Sequence, residues 1–141
     1  MDNQHATLEI AWFSGILDGE GSFMIIRYFR DGKPRYGYRV SIANTNELII
    51  QKCTELLEKL GIKYCSYTQD RGRDGLRRKK THLIHITNKR GIDLLLKATT
   101  DSLVGKRKQA QLLQMYLDNW ETVNKEDAYT SFRKLNKRIP R

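Results

Sequence analysis

From Leu8 to Leu17 nearly every position is apolar or small: Leu8, Ile10, Ala11, Trp12, Phe13, Gly15, Ile16 and Leu17. A helix made from this run is apolar on every side and must be covered on every side. A surface helix does not look like this. The run closes with Asp18-Gly19-Glu20-Gly21. Carboxylates at a helix C-terminus face the negative end of the macrodipole, so the placement of Asp18 and Glu20 is expected to serve something other than stability. Gly15 and Gly19 fall on one helical face, and each costs about 1 kcal/mol relative to Ala inside a helix. That cost makes sense if a second backbone approaches closely there. Two such helices crossing at their glycines would bring their terminal carboxylates together.

The string Phe13-Ser14-Gly15-Ile16-Leu17-Asp18-Gly19-Glu20-Gly21 resembles the nine-residue signature of the LAGLIDADG homing endonucleases, DNA-cleaving proteins usually encoded within mobile introns or inteins. The match keeps Gly15, Asp18 and Gly21, and Glu20 stands where that family carries its metal-binding Asp or Glu. G-x-x-D-x-x-G alone is a loose pattern. An all-round apolar helix before it and a strand after it make it specific.

The remaining chain is consistent with this. At 141 residues it is one domain, large enough for a core without disulfides. A formal charge of +10 exceeds what solubility needs and points to a polyanionic partner, nucleic acid first. An anionic membrane surface is the rival, but the basic residues spread over candidate strands and loops rather than down one face of an amphipathic helix. Cys53 and Cys65 form no C-x-x-C or Cys/His cluster, so neither a disulfide framework nor a zinc site is implied, and both are expected as small core residues. No signal-type segment opens the sequence and no apolar run reaches membrane-spanning length, so an intracellular protein, cytoplasmic or organellar and not secreted, is expected.

Phe23 to Arg30 reads as a strand, Asp31-Gly32-Lys33-Pro34 as a turn and Arg35 to Asn44 as the antiparallel return. Tyr38, Val40 and Ile42 share one face of the second strand, with Arg39, Ser41 and Ala43 on the other. Arg27 breaks the pattern in the first strand by sharing parity with Phe23, Ile25 and Phe29, which suggests a bulge. Thr45 or Asn46 caps a helix from Glu47 to Leu60, with Ile49, Cys53, Leu56, Leu57 and Leu60 at helical spacing and Gly61 as its stop. A third strand is expected over Lys63 to Gln69, a loop over residues 70–75, a fourth strand over Thr81 to Thr87, and helices from Lys89 to about Trp120 with a break near 99–102.

This order is similar to the α-β-β-α-β-β-α core of the family, an α+β fold with a curved antiparallel four-stranded sheet lying on DNA. It divides into a domain over 1–123 (signature helix about 6–20, first hairpin 22–45, second strand pair 63–87, helices 89–121) and a basic tail over 124–141. The tail is patterned as a short amphipathic helix with Tyr129, Phe132 and Leu135 inward. The single motif implies a homodimer joined through Trp12, Gly15, Ile16 and Gly19, and hence a pseudo-palindromic target.

The resemblance also implies the chemistry. Phosphodiester hydrolysis with a hard cation such as Mg²⁺ takes carboxylates, phosphate oxygens and water as ligands. Glu20 from each subunit and the backbone carbonyl of Gly19 would supply the protein's share; the plainer alternative is a solvated turn glutamate. Lys106-Arg107-Lys108-Gln109-Ala110 resembles the basic segment opening a helix in single-motif members, which puts Lys106 at the family's active-site lysine. The plainer alternative there is a basic cluster anchoring phosphates. Asn44 and Asn46 both fit a polar position that orients water, and either could be a helix cap instead.

DNA contacts fall on the open face of the sheet and its loops, with candidates Tyr28, Arg30, Lys33, Arg35, Arg39, Ser41, Tyr64, Ser66, Arg71, Arg73 and Arg77. Arg77, Arg78, Lys79 and Lys80 grip the backbone, since adjacent strand residues point to opposite faces. His82 and His85 are further possible contacts. The expected activity is site-specific, Mg²⁺-dependent double-strand cleavage of DNA. The alternatives on the same scaffold are an intron-splicing maturase, whose partner is intron RNA, and a DNA-binding regulator that has lost cleavage.

Overall fold

A computed structural model describes residues 3–70 and 80–137. The elements are α1 (Asn3–Glu20), β1 (Gly21–Arg30), β2 (Lys33–Asn44), α2 (Glu47–Lys59), β3 (Cys65–Gln69), β4 (Thr81–Ile86), α3 (Lys89–Thr99), a 3₁₀ turn (Thr100–Ser102), α4 (Arg107–Asp118) and α5 (Lys125–Asn136). The fold is α+β, in the order read from the sequence. Its four-stranded antiparallel sheet runs β1-β2-β4-β3. Between β1 and β2, Asp31 (φ 54°) and Gly32 (φ 75°) both take left-handed backbone, the two-residue turn whose twist matches that of the strands it joins.

Strand parity sets the two faces of the sheet. Phe23, Ile25, Val40, Ile42, Ile84 and Ile86 are buried beneath the helices, packed with Phe13, Leu17, Leu57, Leu95 and Leu113. The alternate residues form an open face that no described helix covers. Asn46 caps α2 through Leu48 N–H, and Gly61 closes it with φ 73°, the left-handed position where a Cβ would be strained. Cys53 is a fully buried core residue, and burial pushes its thiol up to about 11. Cys65, expected in the core, is instead exposed, because its position in β3 lies opposite His85 on the open face.

No bulge interrupts the first hairpin; its register is continuous from Gly21↔Ile42 to Arg30↔Lys33. Arg27 faces the helices because α5 provides it with partners. Its guanidinium donates to Glu126 at 2.8 Å and lies 4.6 Å from the centre of the Tyr129 ring. Tyr36, opposite Arg27, also donates to Glu126, and that carboxylate raises the phenol's pKa. Ala128 and Phe132 of α5 enter the same core as the rest of the chain, and Asn136 donates to the Phe23 carbonyl at 2.9 Å. The helix foreseen in the tail is therefore part of the domain's packing.

Within one chain α1 is covered on one face only. Phe13, Ser14 and Leu17 are buried, whereas Leu8 (63%), Trp12 (38%), Ala11, Gly15 and Gly19 are exposed. Among the described residues no helix is long and apolar enough to cross a membrane.

Candidate functional site

The end of α1, the start of β1 and the start of α4 converge. Asp18 accepts the backbone N–H of Val104 at 2.9 Å and that of Lys106 at 3.0 Å. This corrects the expectation that both motif carboxylates are misplaced for stability, since Asp18 satisfies two donors at the start of another helix. Lys106, the N-cap residue of α4, turns its side chain back along α1, and its ammonium donates to the carbonyls of Leu17 (3.3 Å) and Gly21. Burial lowers the pKa of Lys106, while Asp18 and Glu20 push it the other way.

Glu20 is exposed at the last position of α1 and makes no hydrogen bond or ion pair among the described residues. The carbonyls of a helix's last turn lack intrahelical partners, so Gly19 C=O lies beside it as a second oxygen donor. An oxygen-only set of this kind fits a hard divalent cation. It is incomplete in one chain: no group of three or more His, Cys, Asp or Glu able to hold a metal occurs among the described residues.

Gly15 and Gly19 are unconstrained within the subunit, because a Cβ on either would meet nothing within 4 Å. Gly21 differs, as a Cβ there would lie 2.7 Å from the Leu17 carbonyl oxygen. Trp12 and the two α1 glycines share the exposed stripe with Leu8 and Ala11, while Ile16 sits at its border, half-buried against the core.

At the end of β2, Asn44 accepts the N–H of Asn46 at 2.7 Å, and Asn46 accepts that of Leu48 at 3.0 Å. Asn46 is thus engaged as the cap of α2. Asn44 shares the parity of Val40 and Ile42.

The open face gathers Tyr28, Arg30, Lys33, Arg35, Arg39 and Ser41, whose pairs Tyr28↔Arg35, Arg30↔Lys33 and Met24↔Arg39 lie side by side. Tyr64 and Ser66 do not join them. Ser66 pairs with buried Ile84, and the Tyr64 hydroxyl donates to Glu58 of α2 at 2.7 Å. Both therefore turn to the helix side, and Cys65, Tyr67 and Gln69 take the open face instead. Sequence reasoning missed Tyr67, Gln69, Met24, Ile26 and Leu83; for β3, the signal is the pairing of Ser66 with Ile84, whose inward direction sets the parity. His85 is on the open face, with the Tyr67 hydroxyl 3.2 Å from its Nε2; burial and then Arg39 lower its pKa. His82 faces the helices beside Thr68. Arg39 reaches Met24 Sδ at 3.4 Å, and its buried Nε has no partner. Lys80 is exposed just before β4. Arg71, Arg73, Arg77, Arg78 and Lys79 lie outside the described residues.

Comparison with known proteins agrees with this architecture. Residues 7–98 match the model of the LAGLIDADG-like domain. An uncharacterised protein of Methanocaldococcus jannaschii is 45% identical over 67 residues, 47% of this chain and 24% of that protein. The chain thus spans about a quarter of that relative's length. Among solved structures, the homing endonuclease I-CvuI bound to DNA superposes with a TM-score of 0.73 at 18% identity, covering 99% of this chain and 88% of that one. An archaeal intron-encoded homing endonuclease, I-Vdi141I, bound to DNA, gives 0.70 at 16% identity over 96% and 89%. At these identities the likeness establishes the fold.

Proposed function

The chain belongs to the LAGLIDADG-like domain family, and from that premise we propose that it is a homing-type, site-specific DNA endonuclease. It is divalent-metal-dependent and acts as a homodimer on a long pseudo-palindromic duplex. The observation that carries the reading is an exposed Glu20 within electrostatic reach of the Lys106 ammonium at the end of α1, beside an open sheet face rich in arginine. A carboxylate among phosphates repels them unless a cation lies between, so a protein that only binds DNA gains nothing from Glu20 at that position.

Bound Mg²⁺ supplies Lewis-acid polarisation of the phosphate and a more acidic water. Glu20 and the Gly19 carbonyl are the residues that would hold it, with Glu20 of a second copy completing the set. Lys106 brings positive charge to where negative charge develops on the phosphorane oxygens, a role worth most in a partly desolvated site. Asn46 serves as the cap of α2, and Asn44, whose Oδ1 accepts from Asn46 N–H, has its amide NH₂ to orient water. Arg30, Lys33, Arg35 and Arg39 follow the duplex through phosphate and base-edge contacts. Lys80, exposed just before β4, adds a further charge, and Arg71, Arg73, Arg77, Arg78 and Lys79, outside the described residues, are proposed as phosphate contacts from their charge alone.

The test begins with duplexes selected for binding from a randomised pool, then incubated with Mg²⁺ and either parent protein or the Glu20→Gln variant. The parent is expected to cut both strands. The variant should bind within about threefold of the parent yet cut at least ~100-fold more slowly, as for loss of an interaction used in the transition state. A parent that binds tightly and leaves every selected duplex intact, with or without metal, would sink the nuclease reading in favour of a regulator. Preference for folded intron RNA over duplex would favour a maturase.

A further inference from the structure

The side-chain bonds of Asp18 run to the turn that leads into α4 and not to its own helix. Lys106 at the N-cap of α4 makes no side-chain capping bond, so the first donors of that helix would lack partners. Asp18 satisfies one of them from across the fold, taking the N-cap Lys106 N–H on one oxygen, and its other oxygen takes Val104 N–H in the turn that leads into the helix. The same lysine then sends its ammonium back to Leu17 and Gly21, whose carbonyls flank the acidic stretch. One short segment of chain thus holds Lys106 at both ends, by its backbone through Asp18 and by its tip through two carbonyls. A lysine side chain is otherwise free to sample many rotamers, and these contacts restrict it.

We propose that Asp18 is the positioning residue of the active centre: it fixes Lys106 beside Glu20 and itself touches neither metal nor DNA. The proposal rests on the nuclease reading, with Lys106 as the charge stabiliser. It assigns the two carboxylates of the motif to different work, Glu20 to the reaction and Asp18 to the geometry of its neighbour. Misplacing a catalytic group by about 1 Å can cost ~100-fold in rate, so the contribution of Asp18 should appear in the rate and not in DNA affinity.

The experiment is a double-mutant cycle of Asp18→Asn and Lys106→Met. It is read as single-turnover cleavage with Mg²⁺, as Kd for the same duplex without metal, and as acylation of Lys106 by an N-hydroxysuccinimide ester, which releases N-hydroxysuccinimide, in DNA-free protein. Asp18→Asn retains one acceptor and turns the other into a donor facing an N–H. Expected are a fall in rate of about 10- to 100-fold with Kd within about threefold, and acylation of Lys106 several-fold faster. In the Lys106→Met background, Asp18→Asn should change the rate by less than about threefold, because the two act as one unit. Fully additive losses, affinity falling in step with rate, or unchanged acylation would each overturn the proposal. If Asp18→Asn does not fold, Asp18→Glu keeps both oxygens, shifts Lys106 by a methylene and carries the same cycle. A parent that cuts nothing condemns the nuclease reading, while the acylation arm still decides whether Asp18 holds Lys106.

Discussion

Gly15 and Gly21 belong to one motif, yet a methyl group on each would meet opposite surroundings. At Gly21 it would press on the Leu17 carbonyl oxygen at 2.7 Å, and backbone cannot step aside as a side-chain tip can. Gly21→Ala should therefore cost roughly 1–3 kcal/mol, the usual range for overpacking, and should pull the end of α1 away from β1, where Lys106 bonds the Gly21 carbonyl. Urea unfolding with an unchanged m-value and a lower midpoint is the expected result; an unchanged midpoint would mean the junction has slack. The same scale shows what single residues do and do not reveal. That Gly15, Gly19 and Glu20 are out of place in a surface helix is legible from the sequence. The partner of Asp18 is not, because its two donors are backbone groups far along the chain with no side-chain signature. Asn46 is legible as a cap because Asn before a helical run states that chemistry locally.

For whole elements, legibility follows from how strongly each alternates. β2 carries a clear period of two, so the faces of Arg39 and Val40 could be read directly. β3 is exposed at every position, Cys65-Ser66-Tyr67-Thr68-Gln69, and no apolar alternation in its own sequence fixes parity, so only its pairing with β4 shows that Ser66 faces the helices. Arg27 suggested a bulge because its partner, α5, lies far away in sequence. The open face that results mixes its chemistry along its length. Met24, Ile26, Ala43 and Leu83 are half-buried and apolar, while Tyr28, Arg30, Lys33 and Arg35 gather towards the hairpin tip. β1 begins where α1 ends, so at about 3.3 Å per residue the tip lies roughly 30 Å out from Glu20. The inner part of each half-site should then offer thymine methyls to the apolar patch, and the outer part guanine acceptors to the arginines. Replacing inner thymines by uracil removes only the methyl and should weaken binding by about 0.8 kcal/mol per contacted position, measured by competition. Equal losses at inner and outer positions would refute the gradient.

For the molecule as a whole, one subunit is complete as a fold and incomplete as a site. Its core is closed by the described helices α1 to α5 on one side of the sheet, yet α1 exposes Leu8, Ala11, Trp12, Gly15 and Gly19, and the end proposed to hold a metal has, among the described residues, one carboxylate without a hydrogen bond, Glu20. On the reading proposed above, a second copy packed on the same stripe would meet both shortfalls, covering the apolar face and bringing a second Glu20 to the first. A symmetric contact of this kind also gives two sheet faces related by a two-fold axis, matching a pseudo-palindromic duplex. Gly15→Leu isolates this step. The side chain starts into open space in the single subunit, since a Cβ there meets nothing within 4 Å, and leucine favours helix over glycine by nearly 1 kcal/mol. The subunit should therefore fold with unchanged circular dichroism, while sedimentation equilibrium reports a monomer and double-strand cleavage is lost. A variant that still sediments as a dimer and cuts both strands would show that the subunits meet elsewhere and that the glycines of α1 serve another purpose.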